Sequence, residues 1–254
     1  MSVFVEVAGR GPNLTLLHGW GLNGAVWNGV RDALAQRYTL HIVDLPGHGL
    51  SNGAATATIT EMADAVAEAM PPRSHLLGWS LGGLVAQDLA RRHAARIDRL
   101  VLVATTPSFL QRDGWPHAVQ PAVLADFGRR LSGNYAATIK SFLALQVLST
   151  PNVRDAVTTL QQAITSRGAP NLAALAAALD ILRTTDLREH AATLPQAALV
   201  IQGDHDALTP EPAAGWLAER MPNARYAMIP HAAHAPFMSH REEFMRELDA
   251  FLSA

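Results

Sequence analysis

One six-residue stretch, Gly78-Trp79-Ser80-Leu81-Gly82-Gly83, restricts the folds open to this chain more than any other. An apolar run ends just before it at Leu77, and apolar residues at helical spacing begin at Leu81. A Gly-x-Ser-x-Gly tract in that position is the sequence form of a sharp strand-to-helix turn with the serine at its apex. The glycines have a steric purpose. Strand and helix approach so closely that a Cβ at Gly78 or Gly82 would collide, and strained backbone is expected near the apex. The plainer reading is that Ser80 only caps the following helix, as serine often does. The tract alone does not separate a nucleophile from a cap, so the rest of the chain must.

Composition removes several classes. With 254 residues and 49% hydrophobic content, the chain can bury one substantial core, with or without an insertion. A net charge of −2 gives no support for nucleic-acid binding or for an anionic membrane surface. No apolar run approaches the roughly 18–20 residues that span a bilayer. Met1-Ser2-Val3-Phe4-Val5-Glu6 lacks the basic and apolar regions of a secretory signal. A soluble, cytoplasmic protein, monomeric and without nucleic-acid or membrane partners, is expected. The absence of cysteine excludes disulfides, thiolate metal sites and cysteine nucleophiles.

Val3–Val7 alternates as an edge strand does, before a Gly9-Arg10-Gly11-Pro12 turn. Short apolar runs at Leu14–Leu17, Leu40–Val43, His75–Leu77, Ile97–Ala104, Ala197–Ile201 and Arg225–Ile229 read as further strands. Helical spacing marks Ile59–Met70, Leu81–His93, Pro212–Arg220 and Arg241–Leu252. This alternation predicts an α/β fold, a mostly parallel sheet with helices on both faces. Between Thr106 and Arg188 the strand pattern gives way to amphipathic helical segments, with breaks near Pro116, Pro121, Gly133, Pro151 and Gly168-Ala169-Pro170. The expected organisation is a core over 1–105, a helical cap insertion over 106–188, and the rest of the core over 189–254.

A serine hydroxyl is a weak nucleophile until a neighbouring base takes its proton. Elbow serines of this kind draw their partners from later strand ends, in the chain order Ser, Asp/Glu, His. The strand ending at Gln202 leads into Gly203-Asp204-His205-Asp206-Ala207-Leu208-Thr209-Pro210, and the strand ending near Ile229 leads into Pro230-His231-Ala232-Ala233-His234-Ala235-Pro236-Phe237. Asp204 and Asp206 are both candidate acids, and His231 and His234 both candidate bases. A metal site through His231 and His234 has little support, because the pair lies in a loop and no other ligand cluster is evident. For an oxyanion hole, the N–H of Leu81 and that of Trp20, in the loop His18-Gly19-Trp20-Gly21, are the expected donors. The Trp20 indole would wall the acyl pocket, while His18 is expected to hold its loop rather than act as a second base.

His18-Gly19-Trp20-Gly21, Asp44-Leu45-Pro46-Gly47-His48-Gly49-Leu50-Ser51, the elbow and the terminal Asp and His loops resemble the α/β-hydrolases across the whole core. The resemblance to Gly-x-x-Asp-x-x-x-Pro implies Asp206 as the acid, and the later histidine of the Ala-rich turn, His234, as the base. Leu17–Asn23, Leu77–Ala86, Phe142-Leu143-Ala144-Leu145-Gln146 and Ala232–Phe237 are similar to the pimeloyl-[acyl-carrier protein] methyl ester carboxylesterases of biotin synthesis. That resemblance implies a cofactor-independent serine esterase that frees a distal carboxylate and methanol. It implies substrate contacts from Trp20, Ser80, Leu81, Phe142, Leu143, Ala144, Leu145, Gln146 and His234. It also implies an acyl-carrier protein partner docked on basic residues of the insertion, for which Arg154, Lys140, Arg129 and Arg130 are the candidates. Residues 112–167 carry six basic against three acidic side chains, although Ala137, Ser141 and Thr158 are uncharged where part of such a cluster is expected. A general short-chain esterase, a lactonase or C–C hydrolase, and a non-catalytic binding protein on the same scaffold are the alternatives, because specificity resides in the insertion.

Overall fold

The computed structural model describes residues 3–51, 53, 56–148, 150 and 152–253. Seven strands, β1 (Val5–Gly9), β2 (Asn13–Leu17), β3 (Thr39–Val43), β4 (Ser74–Trp79), β5 (Ile97–Val103), β6 (Ala197–Gly203) and β7 (Ala224–Ile229), form one sheet in the order β1-β3-β2-β4-β5-β6-β7. Only β1 runs antiparallel, paired with β3 so that Val5 faces Val43. It begins two residues later than the alternation of Val3–Val7 suggests, and it ends at Gly9, whose φ of 83° opens the turn.

The central strands are buried on consecutive residues, as in Leu76 to Trp79 and Leu100 to Val103. Such runs mark a parallel sheet covered on both faces. The first helices are α1 (Asn28–Ala35), α2 (Ile59–Ala69) and α3 (Leu81–Arg92). Four more follow between β5 and β6: α4 (Pro121–Gly133), α5 (Tyr135–Gln146), α6 (Val153–Ser166) and α7 (Leu172–Thr184). Then come α8 (Glu211–Arg220), a single turn α9 (Pro236–Ser239) and α10 (Arg241–Leu252).

Between β5 and β6 the chain is helical from Pro121 onward but not before it. Residues 106–120 contain no helix and make only isolated bridges, Leu110 with Val119 and Arg112 with Trp115. Pro116 and Pro121 explain the difference. The residue before a proline is pushed out of helical geometry, and Pro121 itself takes the first position of α4, where no N–H is missed. Asn134 and Asn171 cap α5 and α7 by accepting from the Ala137 and Ala174 N–H groups. The expected break at Pro151 lies outside the described residues.

Arg167, directly after α6, ties these helices to the core. Its guanidinium reaches the Asp44 carboxylate at 2.9 Å and also pairs with Glu6. Asp44 is fully buried and accepts from the Gly24 and Leu50 N–H groups as well. Removing a partner from a buried pair of this kind costs about 3–5 kcal/mol, because the remaining charge is left unsatisfied. Asn23 adds a second tie by donating to the Ala163 carbonyl at 2.7 Å.

Candidate active site

The catalytic candidates converge at the carboxyl ends of β4, β6 and β7, where ligand sites of open parallel sheets form. Ser80 sits at φ 55°, ψ −117°, a conformation that a side-chain-bearing residue rarely adopts. Close approach of the neighbouring elements enforces it. A Cβ on Gly78 would meet the Gly82 carbonyl carbon at 2.6 Å, and one on Gly82 would meet the Leu17 and His18 carbonyl oxygens at 2.5 and 2.6 Å. The Ser80 N–H donates to the Val103 carbonyl, and its own carbonyl accepts from Thr105 Oγ1 at 2.7 Å. Ser80 precedes α3, yet its side chain makes no capping hydrogen bond. The plain capping role is therefore not what holds a serine there.

Burial separates the two aspartates. Asp206 is buried, and its Oδ2 accepts from the His234 ring at Nδ1 (2.8 Å), from Thr209 Oγ1 (2.6 Å) and from Gln202 Nε2 (2.9 Å). Its Oδ1 accepts from the Leu208 and Thr209 N–H groups. Burial alone would raise the Asp206 pKa. The facing His234 ring and the bonds from Thr209 outweigh it and hold the carboxyl below its ordinary value, so Asp206 stays ionised. Asp204 is exposed and instead accepts from the His231 N–H.

His234 is buried, with Nδ1 on Asp206 and its carbonyl receiving the Trp79 indole N–H at 2.8 Å. Nε2 is thereby left for the cavity. His231 points to solvent at φ 63°. His18 has both ring nitrogens engaged, Nδ1 with the Gly19 carbonyl and Nε2 accepting from the Leu45 N–H. Burial and neighbouring His48 hold its pKa well below the ordinary value, so it is a neutral brace for its loop.

Ser80 and His234 line the same cavity, of about 160 Å³, with Trp20, Phe109, Phe142, Leu145, Leu182 and Leu208 among its walls. No hydrogen bond joins Ser80 Oγ to the ring among the described residues, so the hydroxyl must rotate or the site must tighten for proton transfer. The Trp20 and Leu81 N–H groups have no acceptor among the described residues. Gly19 places the Trp20 loop against the elbow, since a Cβ there would lie 3.3 Å from Ser80 Cβ. The Trp20 indole donates to the Leu175 carbonyl and packs edge-on against Phe127 and Phe142.

The profile of the alpha/beta hydrolase family matches residues 16–247. A pimeloyl-[acyl-carrier protein] methyl ester esterase of Aeromonas hydrophila is 44% identical, covering 99% of this chain and all of the relative. One from Nitrosomonas europaea is 41% identical over 98% of this chain and 99% of its own length. The chain belongs to the alpha/beta hydrolase family, among the pimeloyl-[acyl-carrier protein] methyl ester esterases. Among solved structures, an esterase from Exiguobacterium antarcticum superposes with a TM-score of 0.93 at 23% identity, covering 99% of this chain and 96% of that one. At that identity the likeness speaks to the fold alone.

Within this alpha/beta hydrolase, the run Phe142–Gln146 divides. Phe142 and Leu145 line the cavity, whereas Leu143, Ala144 and Gln146 do not. Residues on one helix face recur at three- and four-residue spacing, so five consecutive positions of α5 cannot all face one cavity. Leu143 is buried in the core, and Gln146 is buried with its carbonyl accepting from the Ala235 N–H. Leu81 faces the core as well and offers the site only its backbone.

Of the basic residues, Arg129, Arg130, Lys140 and Arg154 are exposed, with Arg129 and Arg130 both paired to Asp126. Arg112 and Arg167 count toward the positive excess of the insertion but are engaged with Asp186 and with Asp44 and Glu6. Gln202, Thr209 and Trp79 hold Asp206 and His234 in place, yet Trp79 and Thr209 fill only variable positions of the two motifs and Gln202 lies outside both. Only the strand-end position of Gln202 and the proximity of Thr209 to Asp206 could have drawn notice.

Proposed function

We propose that this chain hydrolyses the methyl ester of pimeloyl-[acyl-carrier protein] by two-step acyl transfer at Ser80. His234 takes the Ser80 proton as Oγ attacks the ester carbonyl, and the ionised Asp206 holds the ring and stabilises the imidazolium that forms. The Trp20 and Leu81 amides receive the oxyanion; a donor in that role is typically worth about 10²–10³ in rate. Methanol departs with the proton from His234. A water activated by the same ring then attacks the acyl-enzyme, releasing pimeloyl-carrier with a free carboxylate. Each step uses side chains and backbone amides alone.

One observation carries the reading. His234, held from behind by the buried Asp206, and a strained serine border one narrow apolar cavity. A second cavity of about 430 Å³ shares the walls Phe127, Arg130, Phe142 and Leu145 and continues toward Asn134, Ala137 and Ser141. Such a path suits an ester presented on a long flexible arm. In this reading residues 106–188 form the cap, and its exposed Arg129, Arg130, Lys140 and Arg154 steer an acidic carrier. We place the protein in the cytoplasm as a monomer. No helix among the described residues is long and apolar enough to cross a membrane.

The test compares pimeloyl-[acyl-carrier protein] methyl ester with free dimethyl pimelate. A large excess in kcat/KM for the carrier-bound ester is expected. Equal values would make the chain a generalist esterase.

A further inference from the structure

The two loops that supply Asp206 and His234 also bring together three residues which the esterase chemistry does not use. Asp204 and His205 precede the acid, and His231 precedes the base by three positions. All three are exposed, and one ligand atom from each lies within 4.8 Å of the other two. His231 and His234 do not pair as a ligand couple, because His234 turns inward to Asp206. His231 instead meets a partner from the other loop, with the His205 and His231 ring centroids 5.4 Å apart.

The backbone under this trio is fixed. Asp204 Oδ1 accepts from the His231 N–H at 2.5 Å, and the His205 N–H donates to the Ala232 carbonyl at 3.0 Å. Gly203 permits the approach, since a Cβ there would meet the Ala232 carbonyl carbon at 2.6 Å. The left-handed φ of 63° at His231 belongs to this tight crossing. Glu211 accepts from the Tyr226 hydroxyl, and burial, that bond and the charges of Glu211 and Asp204 raise the pKa of the phenol. The patch is therefore anionic as well as rich in imidazole.

We propose that Asp204, His205 and His231 form a surface site for a borderline divalent cation such as Zn²⁺, which ties the acid-bearing loop to the base-bearing loop. Two imidazoles and one carboxylate suit Zn²⁺ and its late first-row neighbours rather than Mg²⁺ or Ca²⁺, which take oxygen donors. Tetrahedral bonds of about 2.0–2.1 Å require donors about 3.4 Å apart. Exposed side chains cover the remaining distance by χ rotation, and water completes the shell. The cation would act as a clip from outside, with no contact to the reacting atoms.

Calorimetric titration of the chelator-treated full chain with Zn²⁺ tests this, beside its thermal melt. The unaltered protein should bind one equivalent saturably and melt about 2–4 °C or more higher with excess Zn²⁺. His205→Ala and His231→Ala should each weaken binding by about tenfold or more and remove the shift, while hydrolysis without metal stays unchanged. His234→Ala should retain the zinc isotherm, and Mg²⁺ should shift nothing. Three results would overturn the site: no saturable binding, unaltered affinity in both exposed-histidine variants, or loss of binding in His234→Ala.

Discussion

The strand-end loops and the helices between β5 and β6 enclose one cavity, but they are built by different rules. The loops are over-determined. Backbone collisions at Gly78 and Gly82 fix the elbow, and five hydrogen bonds from four residues fix the Asp206 carboxylate. The helices offer apolar walls, Phe127, Phe142, Leu145 and Leu182, whose shape depends on side-chain packing. Chemistry requires groups held to fractions of an ångström, whereas recognition of a methylene chain requires only apolar surface of suitable width. Substitutions in the loops should therefore change the rate of the chemical step, and those in the helices should change which ester is accepted.

The two aspartates of one loop should differ most. Asp206→Asn should lower kcat by roughly 10⁴, since an amide cannot hold His234 in the working tautomer. Asp204→Asn should stay within a few fold of the unaltered enzyme. Steady-state rates on a short-chain p-nitrophenyl ester measure both, and comparable losses would erase the distinction drawn from burial.

Adjacent residues of α5 sharpen the contrast in the second region. Phe142→Ala should raise KM for the pimeloyl substrate while moving the melting temperature little. Leu143→Ala should cost about 2–5 kcal/mol of stability, as buried leucine truncations do, with KM nearly unchanged. Melting curves and Michaelis profiles of the two variants separate wall from core.

A more gradual effect concerns pH. Burial pushes the His48 pKa from 6.5 down to about 4, against the raising effect of its bond to the Pro46 carbonyl, and burial lowers His18 too. An unfolded chain binds protons at these sites below pH 6.5, while the folded one does not. Stability is thus fully present above 6.5 and falls as the pH drops toward 4, by about 1.4 kcal/mol per pH unit from His48, with His18 adding a loss in the same direction. Asp206, with its lowered pKa, adds a loss in the same direction below its ordinary range. Urea unfolding between pH 4 and 8 should show this slope, and His48→Asn should flatten it.

Much of the first region is legible in the sequence, because its constraints are local. The apolar runs give six of the strands within a few residues, and the Gly-x-Ser-x-Gly steric argument rests on neighbours in the chain. Helix α1 escapes such reading, since it is only eight residues long, Asn28–Ala35, and just two of them, Val30 and Leu34, are buried. The choice of Asp206 over Asp204 becomes physical only when one carboxylate is inside and the other outside. Trp79 reaching the His234 carbonyl and Arg167 reaching Asp44 join residues more than a hundred positions apart. The composition of either segment alone cannot encode such contacts. In the helical region the sequence shows helicity but not the rotation of α5, so Phe142 and Leu143 look alike until one faces the cavity and the other the core.

The central claim is that the strained Ser80 performs the chemistry while the helices select the ester. The most direct measurement is turnover of pimeloyl-[acyl-carrier protein] methyl ester by Ser80→Ala, with the melting temperature recorded on the same sample. The account predicts a loss of roughly 10⁶ in kcat, as for other nucleophile deletions, with the fold retained. Turnover within tenfold of the unaltered enzyme would contradict it.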